Sequence, residues 1–429
     1  MKVYYNTERS QWKELLKRPQ MDSSLINPRV AVILEIVKND GDDALRRFSR
    51  EFDEVEVDAL MVSEEEIEAA SKLIEPKLKN AIKKAIENIE KFHSAQSYDG
   101  IEVEISAGVK CYQKSVPIQK VGLYVPGGSA PLFSSVLMLG IPARIAGCKE
   151  VIICTPPDKN GGIAPTILYA AKKCGISKIF KVGGAQAIGA MAYGTESVPK
   201  VDKIFGPGNQ YVTAAKQQVG MSDVAIDMPA GPSEVLIMAD DSANPAFVAA
   251  DLLSQAEHGG DSQAILITTS GQLAEKVKKE VEAQTEHLSR AAIAERSKGN
   301  SRILVLENAD EMVELANEYA AEHLIIAMND AWSAADKIVA AGSVFIGNYT
   351  PESAGDYASG TNHTLPTNGW AKAYSGVNLD SFNRKITFQE ITREGIEDLG
   401  PAIEAMAMAE GLDAHANAVR VRLNEGKND

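Results

Sequence analysis

From residue 121 onward, short runs of β-branched and apolar residues alternate with stretches of helical periodicity. The runs are VGLYV, VIICT, KIFKV, DKIFG, QAILITT, RILVLE, LIIAM and SVFIG. Strand–helix alternation of this kind predicts parallel sheets whose strands are joined by helical crossovers. The runs form two groups, at about 121–235 and 236–347, so we predict an α/β fold with two sheet domains.

The residues before this region follow another pattern. Residues 1–120 are predicted to be mainly helical, because segments such as 64–79 and 79–93 carry apolar positions three and four apart among dense charges. We expect this segment to pack on the second α/β domain. A polar loop at 348–369 precedes a predicted helical tail. The predicted division of the chain is 1–120, 121–235, 236–375 and 376–429.

Composition limits the partners of the chain. The formal net charge of −15 argues against a nucleic-acid-binding protein, because phosphate recognition requires clustered Lys and Arg. Small molecules or copies of the chain itself are the expected partners. The four cysteines show no paired spacing typical of a disulfide framework or a thiolate zinc site. With no signal peptide or membrane span predicted either, we expect a cytoplasmic protein.

Three strands in the first α/β region run into glycine-bearing loops that are followed by helices. Each loop contains a polar or aromatic candidate, namely Tyr124, Gln186 and Asn209. Glycine lets the backbone approach a ligand closely, and a helix N-terminus attracts anions such as a pyrophosphate. The spacing is not the GxGxxG fingerprint, so each loop alone also fits an ordinary strand-to-helix turn. Three such loops in one domain favour a dinucleotide site.

The chain has six histidines, and four of them stand beside other residues of metal-ligand type. Asn244-Pro245 resembles a helix start and Gly259-Gly260 a stop, which predicts that Gln255 and His258 share one helical face. The four groups are Gln255-Ala-Glu257-His258, Glu322-His323, Asp356-x6-His363 and Glu410-x4-His415. Imidazole nitrogens with carbonyl and carboxylate oxygens suit a divalent metal such as zinc.

Glu322-His323 precedes the predicted strand LIIAM, a place where α/β enzymes often carry catalytic residues. Histidine is the usual general base near neutrality, and a buried Glu with a raised pKa can deprotonate water. A surface helix-capping pair is the structural alternative. A zinc hydrolase acting on an imidazole-bearing or amino-alcohol-like substrate is the alternative function.

At this point the sequence resembles the histidinol dehydrogenase family over nearly its whole length. The matching stretches are VGLYVPGGSAPL, VGGAQAIGA, KIFGPGNQYVTAAK, AGPSEVL, DLLSQAEHGGDSQA, AAEHL, GDYASGTNHTLPT and EGLDAHANAV. The resemblance implies an NAD-dependent homodimer with two incomplete Rossmann-like domains and one zinc per subunit. The resemblance also implies that the enzyme oxidises L-histidinol to L-histidine through L-histidinal, in the last steps of histidine biosynthesis.

The resemblance also implies roles for individual residues. The implied zinc ligands are Gln255, His258, Asp356 and His415. Glu322 and His323 would be the catalytic acid/base residues. The substrate contacts would be these four ligands with Ser233, His323, His363 and Glu410. The implied NAD contacts are Tyr124, Gln186 and Asn209.

These roles give a working hypothesis for the reaction. Zinc would hold the imidazole and amino nitrogens of the substrate, so that the CH2OH group faces nicotinamide. His323 would remove the hydroxyl proton, and Glu322 would activate the water that hydrates the aldehyde. A cysteine nucleophile is the rival route, but no cysteine stands beside a histidine in the sequence. His415, far along the tail, is predicted to serve a second subunit.

Overall fold

The computed structural model describes residues 1–19, 23–127, 131–229 and 231–424. The helices of these residues are α1 Arg9–Leu15, α2 Ser23–Phe48, α3 Glu64–Leu73, α4 Pro76–Ser94, α5 Phe133–Ala146, α6 Pro165–Cys174, α7 Gly184–Tyr193, α8 Gln210–Gly220, α9 Pro245–Ala256, α10 Gly271–Thr285, α11 Ala291–Lys298, α12 Ala309–Tyr319, α13 Ala331–Ala335, α14 Glu352–Tyr357, α15 Arg393–Ala409 and α16 Asp413–Leu423. The strands are β1 Lys2–Tyr5, β2 Ile101–Ser106, β3 Val109–Pro117, β4 Lys120–Tyr124, β5 Glu150–Thr155, β6 Lys178–Lys181, β7 Lys203–Phe205, β8 Ala225–Ile226, β9 Glu234–Ala239, β10 Gln263–Thr268, β11 Arg302–Val305, β12 His323–Ala327, β13 Ser343–Ile346 and β14 Asn383–Ile391. A π-helical turn at Ser49–Asp53 follows α2.

The first α/β domain is a five-stranded parallel sheet in the order β6-β5-β4-β7-β8. Both of its faces are covered, because Ile152 and Ile153 of β5 are completely buried in separate hydrophobic clusters. Apolar residues at successive positions are therefore required, as expected of a parallel sheet between helical layers. The strand order reverses between β4 and β7. In open α/β sheets, ligands bind at such a switch point, beyond the carboxyl ends of the strands.

The second α/β domain is a six-stranded parallel sheet in the order β1-β11-β10-β9-β12-β13. All eight predicted runs lie on strands, so the α/β prediction is confirmed. The central strand β9 was not among the predicted runs. It begins at Glu234, just inside the end predicted for the first domain.

Residues 1–96 of the N-terminal segment are divided between the two parallel sheets. Its strand β1 pairs with β11, and Trp12 of α1 is buried in the core of the six-stranded sheet. The longer helices instead cover the five-stranded sheet, with α2 packed on α7 and α8, α3 on α6, and α4 on α5. Our expectation that the whole segment packs on the second domain is therefore wrong for α2, α3 and α4, because their apolar faces complete the layers over the first sheet.

A second compact unit combines Ser97–Pro117 with the chain from Asn383 onward. Its three strands form an antiparallel sheet in the order β14-β3-β2. Helices α15 and α16 pack together, and Gly400 permits close approach to Val419. The prediction of a purely helical tail is wrong for β14, a strand with few buried residues that depends on distant β3 for its hydrogen bonds.

None of the described helices has the length and apolar character that a membrane span requires.

Candidate active site

Glu322 and His323 lie where the chain enters β12, a strand between β9 and β13 in the interior of its sheet. Helix α12 ends at Tyr319, and Ala320 then adopts the left-handed conformation with φ 53°, which turns the chain into the sheet. The pair therefore stands at the amino-terminal end of its strand. This is opposite to the carboxyl end at which open α/β sheets usually bind ligands.

His323 lies between two carboxylates. Its Nδ1 is 3.7 Å from Oε2 of Glu322, and its Nε2 is 3.4 Å from Oδ1 of Asp356. The side chains of Glu322 and His323 are both buried. Oε2 of Glu322 also accepts a hydrogen bond from the main-chain N–H of Glu234 at 3.0 Å, so the first residue of β9 holds this carboxylate. The imidazole is thus placed to gain or lose a proton between two acceptors.

Helices α9 and α14 bring three polar side chains to this place. Glu352 and Asp356 are four residues apart on α14, and Gln255 lies near the end of α9. Helix α9 begins as predicted, with Asn244 as its N-cap, but it ends at Ala256. His258 therefore follows the helix in a turn, and the prediction that it shares a helical face with Gln255 is wrong.

A possible metal site is formed by His258, Glu352 and Asp356, whose ligand atoms all lie within 4.8 Å of one another. A nitrogen and two carboxylate oxygens form a donor set that divalent cations accept. The predicted ligands His258 and Asp356 are thus brought together. Glu352 was missed in the sequence, although its position four residues before Asp356 places the two on one helical face.

Ionisation in this cluster is strongly perturbed. Burial raises the pKa of Glu322 and that of Glu352 to about 8 each. Burial opposes protonation of His323, but the neighbouring carboxylates Glu352, Glu322 and Asp356 raise its pKa to about 10. Burial likewise opposes ionisation of Asp356, yet its contact with His323 lowers the pKa of this carboxyl group. Several buried acidic groups therefore share few positive partners, and a divalent cation would relieve their repulsion.

Two further predicted substrate contacts are His363, seven residues after Asp356, and Ser233, which directly precedes Glu234. His363 is held at both ring nitrogens, with Nδ1 3.0 Å from the main-chain oxygen of Asp356 and Nε2 3.2 Å from Oγ of Ser135. A carbonyl only accepts, so Nδ1 carries the proton and Nε2 accepts from the serine. Ser233 directly precedes β9, and its main-chain oxygen accepts from the N–H of Gln263.

Glu410 and His415 belong to the second unit. Glu410 is the C-cap of α15, and His415 lies in the first turn of α16. Both residues are exposed there.

Tyr124, Gln186 and Asn209 line one cavity of about 1350 Å³ at the carboxyl ends of the first sheet. The Tyr124 hydroxyl accepts a hydrogen bond from the N–H of Gly184 at 3.2 Å, and burial raises its pKa to about 12. Asn209 caps α8, because its side-chain oxygen accepts from the N–H groups of Tyr211 and Val212. The three loops therefore meet around a single space, although Gly128 and Ser129 of the first loop lie outside the described residues.

A buried ion pair fixes the third of these loops. Nζ of Lys216 lies 2.5 Å from Oδ1 of Asp227 and donates to the main-chain oxygen of Gly206 at 2.8 Å. The N–H of Gly206 donates in turn to Oδ2 of Asp227 at 2.9 Å. Gly206 has φ 122°, and a Cβ there would lie 2.0 Å from the main-chain oxygen of Tyr124. Only glycine fits where β4 and β7 meet.

The family model described as histidinol dehydrogenase matches residues 16–423. This chain belongs to the histidinol dehydrogenase family. A histidinol dehydrogenase of Bacteroides fragilis (strain YCH46) is 61% identical over 425 residues, which cover 99% of each chain. That of Escherichia coli (strain K12) is 53% identical over 417 residues, covering 96% of this chain and 95% of the other. The crystal structure of histidinol dehydrogenase from Elizabethkingia anophelis has a TM-score of 0.96 and 53% identity, covering 99% of this chain and 98% of that one.

Membership of the histidinol dehydrogenase family bears on the two functional alternatives. A zinc hydrolase receives no support from the family or from these relatives. A cysteine nucleophile is also disfavoured, because burial raises the pKa of Cys148 to about 11 and that of Cys174 to about 12. Cys154 is completely buried, and burial raises its pKa further still. These thiols are not activated for attack on an aldehyde.

One wall of the cavity was not predicted from the sequence. It comes from α2 and the π-helical turn, and it includes Val32, Phe48 and Asp53. The rings of Phe48 and Phe52 are stacked with centroids 5.3 Å apart. Strand–loop–helix patterns point only to the sheet side of such a cavity, so the N-terminal wall gave no comparable signal.

Proposed function

We propose that this chain oxidises L-histidinol to L-histidine through L-histidinal, with reduction of two NAD molecules for each substrate. The observation that supports this most strongly is His323, buried between Glu322 and Asp356 in a member of the histidinol dehydrogenase family. Alcohol and hydrated aldehyde must both lose a proton from oxygen as hydride leaves carbon. A single base at a fixed position can serve both oxidations.

The proposed metal site consists of Gln255, His258 and Asp356 of one chain together with His415. Support comes from the mutual proximity of His258 and Asp356, the burial of Gln255, and the excess of acidic groups around them. Nitrogen and oxygen donors of this kind suit zinc, one ion per subunit. Zinc, when bound, supplies a positive centre that can orient the substrate through its nitrogen atoms. Ser233, His363 and Glu410 are the proposed further contacts to substrate.

In the proposed mechanism the neutral form of His323 accepts the hydroxyl proton, and the adjacent acidic groups, which raise the pKa of the imidazole, stabilise the imidazolium that forms. Glu322 then takes a proton from water as that water adds to the aldehyde, and the imidazolium of His323 returns its proton to the carbonyl oxygen, which gives the gem-diol and leaves His323 neutral again. The buried position of Glu322 suits this role, because a raised pKa makes a carboxylate a stronger base. Proton transfer from the gem-diol to His323 allows the second hydride to leave.

The dinucleotide is proposed to occupy the cavity lined by Tyr124, Gln186 and Asn209. This proposal draws support from the size of the cavity and its position at the switch point of the first sheet. NAD, when bound, accepts the hydride. The Lys216–Asp227 pair would keep the Gly206 loop in place while NADH leaves and a second NAD enters.

A homodimer is proposed as the functional state. In the second unit, Ile101 and Val103 alternate along β2 and are exposed, as is Ile105 at the irregularity that follows, which gives this strand a short apolar stripe. Such a stripe requires a cover, and a second copy of this chain is the occupant that we propose. His415 and Glu410, exposed in the same unit, would then serve the active site of the partner subunit.

The four free cysteines support the cytoplasm as the proposed location.

The decisive experiment is to follow NADH at 340 nm with L-histidinol and NAD, before and after chelation and after readdition of zinc. We expect two NADH for each histidinol, loss of activity on chelation and its return with zinc. A folded, zinc-loaded protein that produces no NADH would overturn the proposal.

A further inference from the structure

The amide of Gln255 faces the carboxylate of Glu352. When its nitrogen is directed at that carboxylate, it donates to the two Glu352 oxygens at 2.8 and 3.2 Å. Against the ionised form of Glu352, the opposite orientation would bring the amide oxygen to carboxylate oxygens that repel it. Both side chains are almost completely buried, so no solvent competes for these contacts. The carboxylate thus selects one of two nearly equivalent amide orientations.

We infer that Glu352 is a positioning residue that fixes the Gln255 amide so that its carbonyl oxygen is the atom offered to the metal. A neutral amide binds a cation through oxygen, and its nitrogen has no free lone pair for this purpose. An unrestrained amide would spend part of its time with nitrogen toward the ion. By holding the nitrogen, Glu352 removes that orientation. The inference rests on the proposed metal site.

The arrangement of helices gives this contact its rigidity. Glu352 and Asp356 lie on one face of α14, which packs against α9, where Gln255 is located. Gly355 allows α14 to lie close to β13, because a Cβ there would come within 2.7 Å of the Phe345 ring. One short helix thereby carries both a proposed ligand, Asp356, and the residue that orients a second ligand. Hydrogen-bonded partners of metal ligands typically contribute 10- to 100-fold to metal affinity.

The test measures zinc affinity by competition with a chromophoric chelator, on purified full-length protein. The Glu352→Leu variant removes both acceptors, and we expect zinc affinity to fall about 10- to 100-fold. The Glu352→Gln variant is nearly isosteric and retains one acceptor oxygen, so its loss should be smaller. The Glu257→Gln variant, which also removes one negative charge beside His258, is the matched control, and its affinity should stay within about threefold of wild type.

A double-mutant cycle with Gln255→Ala separates positioning from direct ligation. If Glu352 acts through Gln255, adding Glu352→Leu to Gln255→Ala should weaken zinc binding little further. If the double variant instead loses zinc affinity by the product of the two single losses, the inference is overturned and Glu352 is an independent ligand. The visible spectrum of the cobalt-substituted Glu352→Gln variant should keep the wild-type bands, since positioning leaves the ligand atoms unchanged, whereas shifted bands would contradict it.

The same measurements separate a failure of the proposed metal site from a failure of the proposed role of Glu352. Wild-type protein that binds no zinc would contradict the metal site itself. If wild-type protein binds zinc and Glu352→Leu binds it with equal affinity, only the role of Glu352 is contradicted. Circular dichroism and thermal unfolding of each apo variant identify a substitution that merely fails to fold, and in that case the isosteric Glu352→Gln variant decides.

Discussion

The main-chain N–H of Glu234 donates to Oε2 of Glu322 at 3.0 Å, so the start of β9 fixes the carboxylate that precedes β12. The side chain of Glu234 is in turn bound by the guanidinium of Arg18, whose Nε lies 2.5 Å from Oε2 of Glu234. Arg18 also stacks over the Tyr319 ring, 4.0 Å from its centroid. The residue proposed to activate water is thus anchored through a chain of buried and partly buried contacts.

This anchor makes Glu322→Gln a selective test of the water-activating role. The amide oxygen of Gln can still accept from the N–H of Glu234, so the geometry should persist while the base is lost. We expect the second oxidation to slow by about 10²- to 10⁴-fold and the first to change much less. Single-turnover measurements should give close to one NADH per histidinol instead of two. The variant His323→Asn should depress both steps, and equal loss of both steps in Glu322→Gln would contradict the division of roles.

The buried Lys216–Asp227 pair predicts a large effect on stability. Replacing Asp227 by Ala leaves the Lys216 ammonium buried without its partner and frees the N–H of Gly206. We expect the free energy of unfolding to fall by about 3–5 kcal/mol, with weaker NAD binding. Denaturant unfolding and NAD titration measure the two effects.

An exposed ion pair provides the control for this prediction. Asp310→Ala breaks the contact of Asp310 with Lys337 at the surface and should leave the unfolding midpoint close to that of wild type. The double variant Lys216→Met, Asp227→Leu should recover part of the lost stability, because no charge is left buried. If Asp227→Ala lowers the free energy of unfolding no more than Asp310→Ala does, the Lys216–Asp227 pair does not hold the loop.

Asp53 predicts a pH dependence of stability. Burial raises the pKa of this carboxyl group from 3.8 to about 6. Above pH 6 the folded chain must hold a charge that the unfolded chain solvates better, and this penalty disappears as the pH falls through 6 toward the unfolded value. Asp53→Asn should therefore melt at a higher temperature than wild type at pH 8, and the difference should shrink at pH 5. Asp58→Asn, at an exposed position of the same segment, is the control, and an Asp53→Asn difference independent of pH would refute the assignment.

Shared active sites predict complementation between two inactive proteins. His415→Ala removes the proposed ligand from the second unit, and Glu322→Ala removes the proposed base from the six-stranded sheet domain. If each site combines residues of two chains, a mixed dimer regains one intact site. Mixing the unfolded variants and refolding them together should then restore up to about a quarter of wild-type activity, by random pairing. No recovery from dimers shown to have exchanged would indicate that each chain is self-contained.

The fold and the site differed in how far the sequence could predict them. Most buried strands of the two parallel sheets were predictable, because covered strands need continuous apolar runs such as those of β5 and β10, although the fully buried β9 was missed. The strands β1 and β14 were not, since their hydrogen bonds come from β11 and β3, far away in the sequence. The same limit applied to Glu352, whose importance depends on its contact with Gln255 across two helices. The proximity of His258 and Asp356 was predictable, because each belongs to a short stretch of the sequence in which residues of metal-ligand type stand together.

The pairing of β1 with β11 also has a consequence for the order in which the protein is made. Residues 2–5 leave the ribosome long before their partner strand, which begins only at Arg302. At about 5–20 residues per second, that interval lasts roughly 15–60 seconds. Strand β1 is therefore synthesised long before it can pair, and the nascent chain carries this strand without its partner until β11 has emerged.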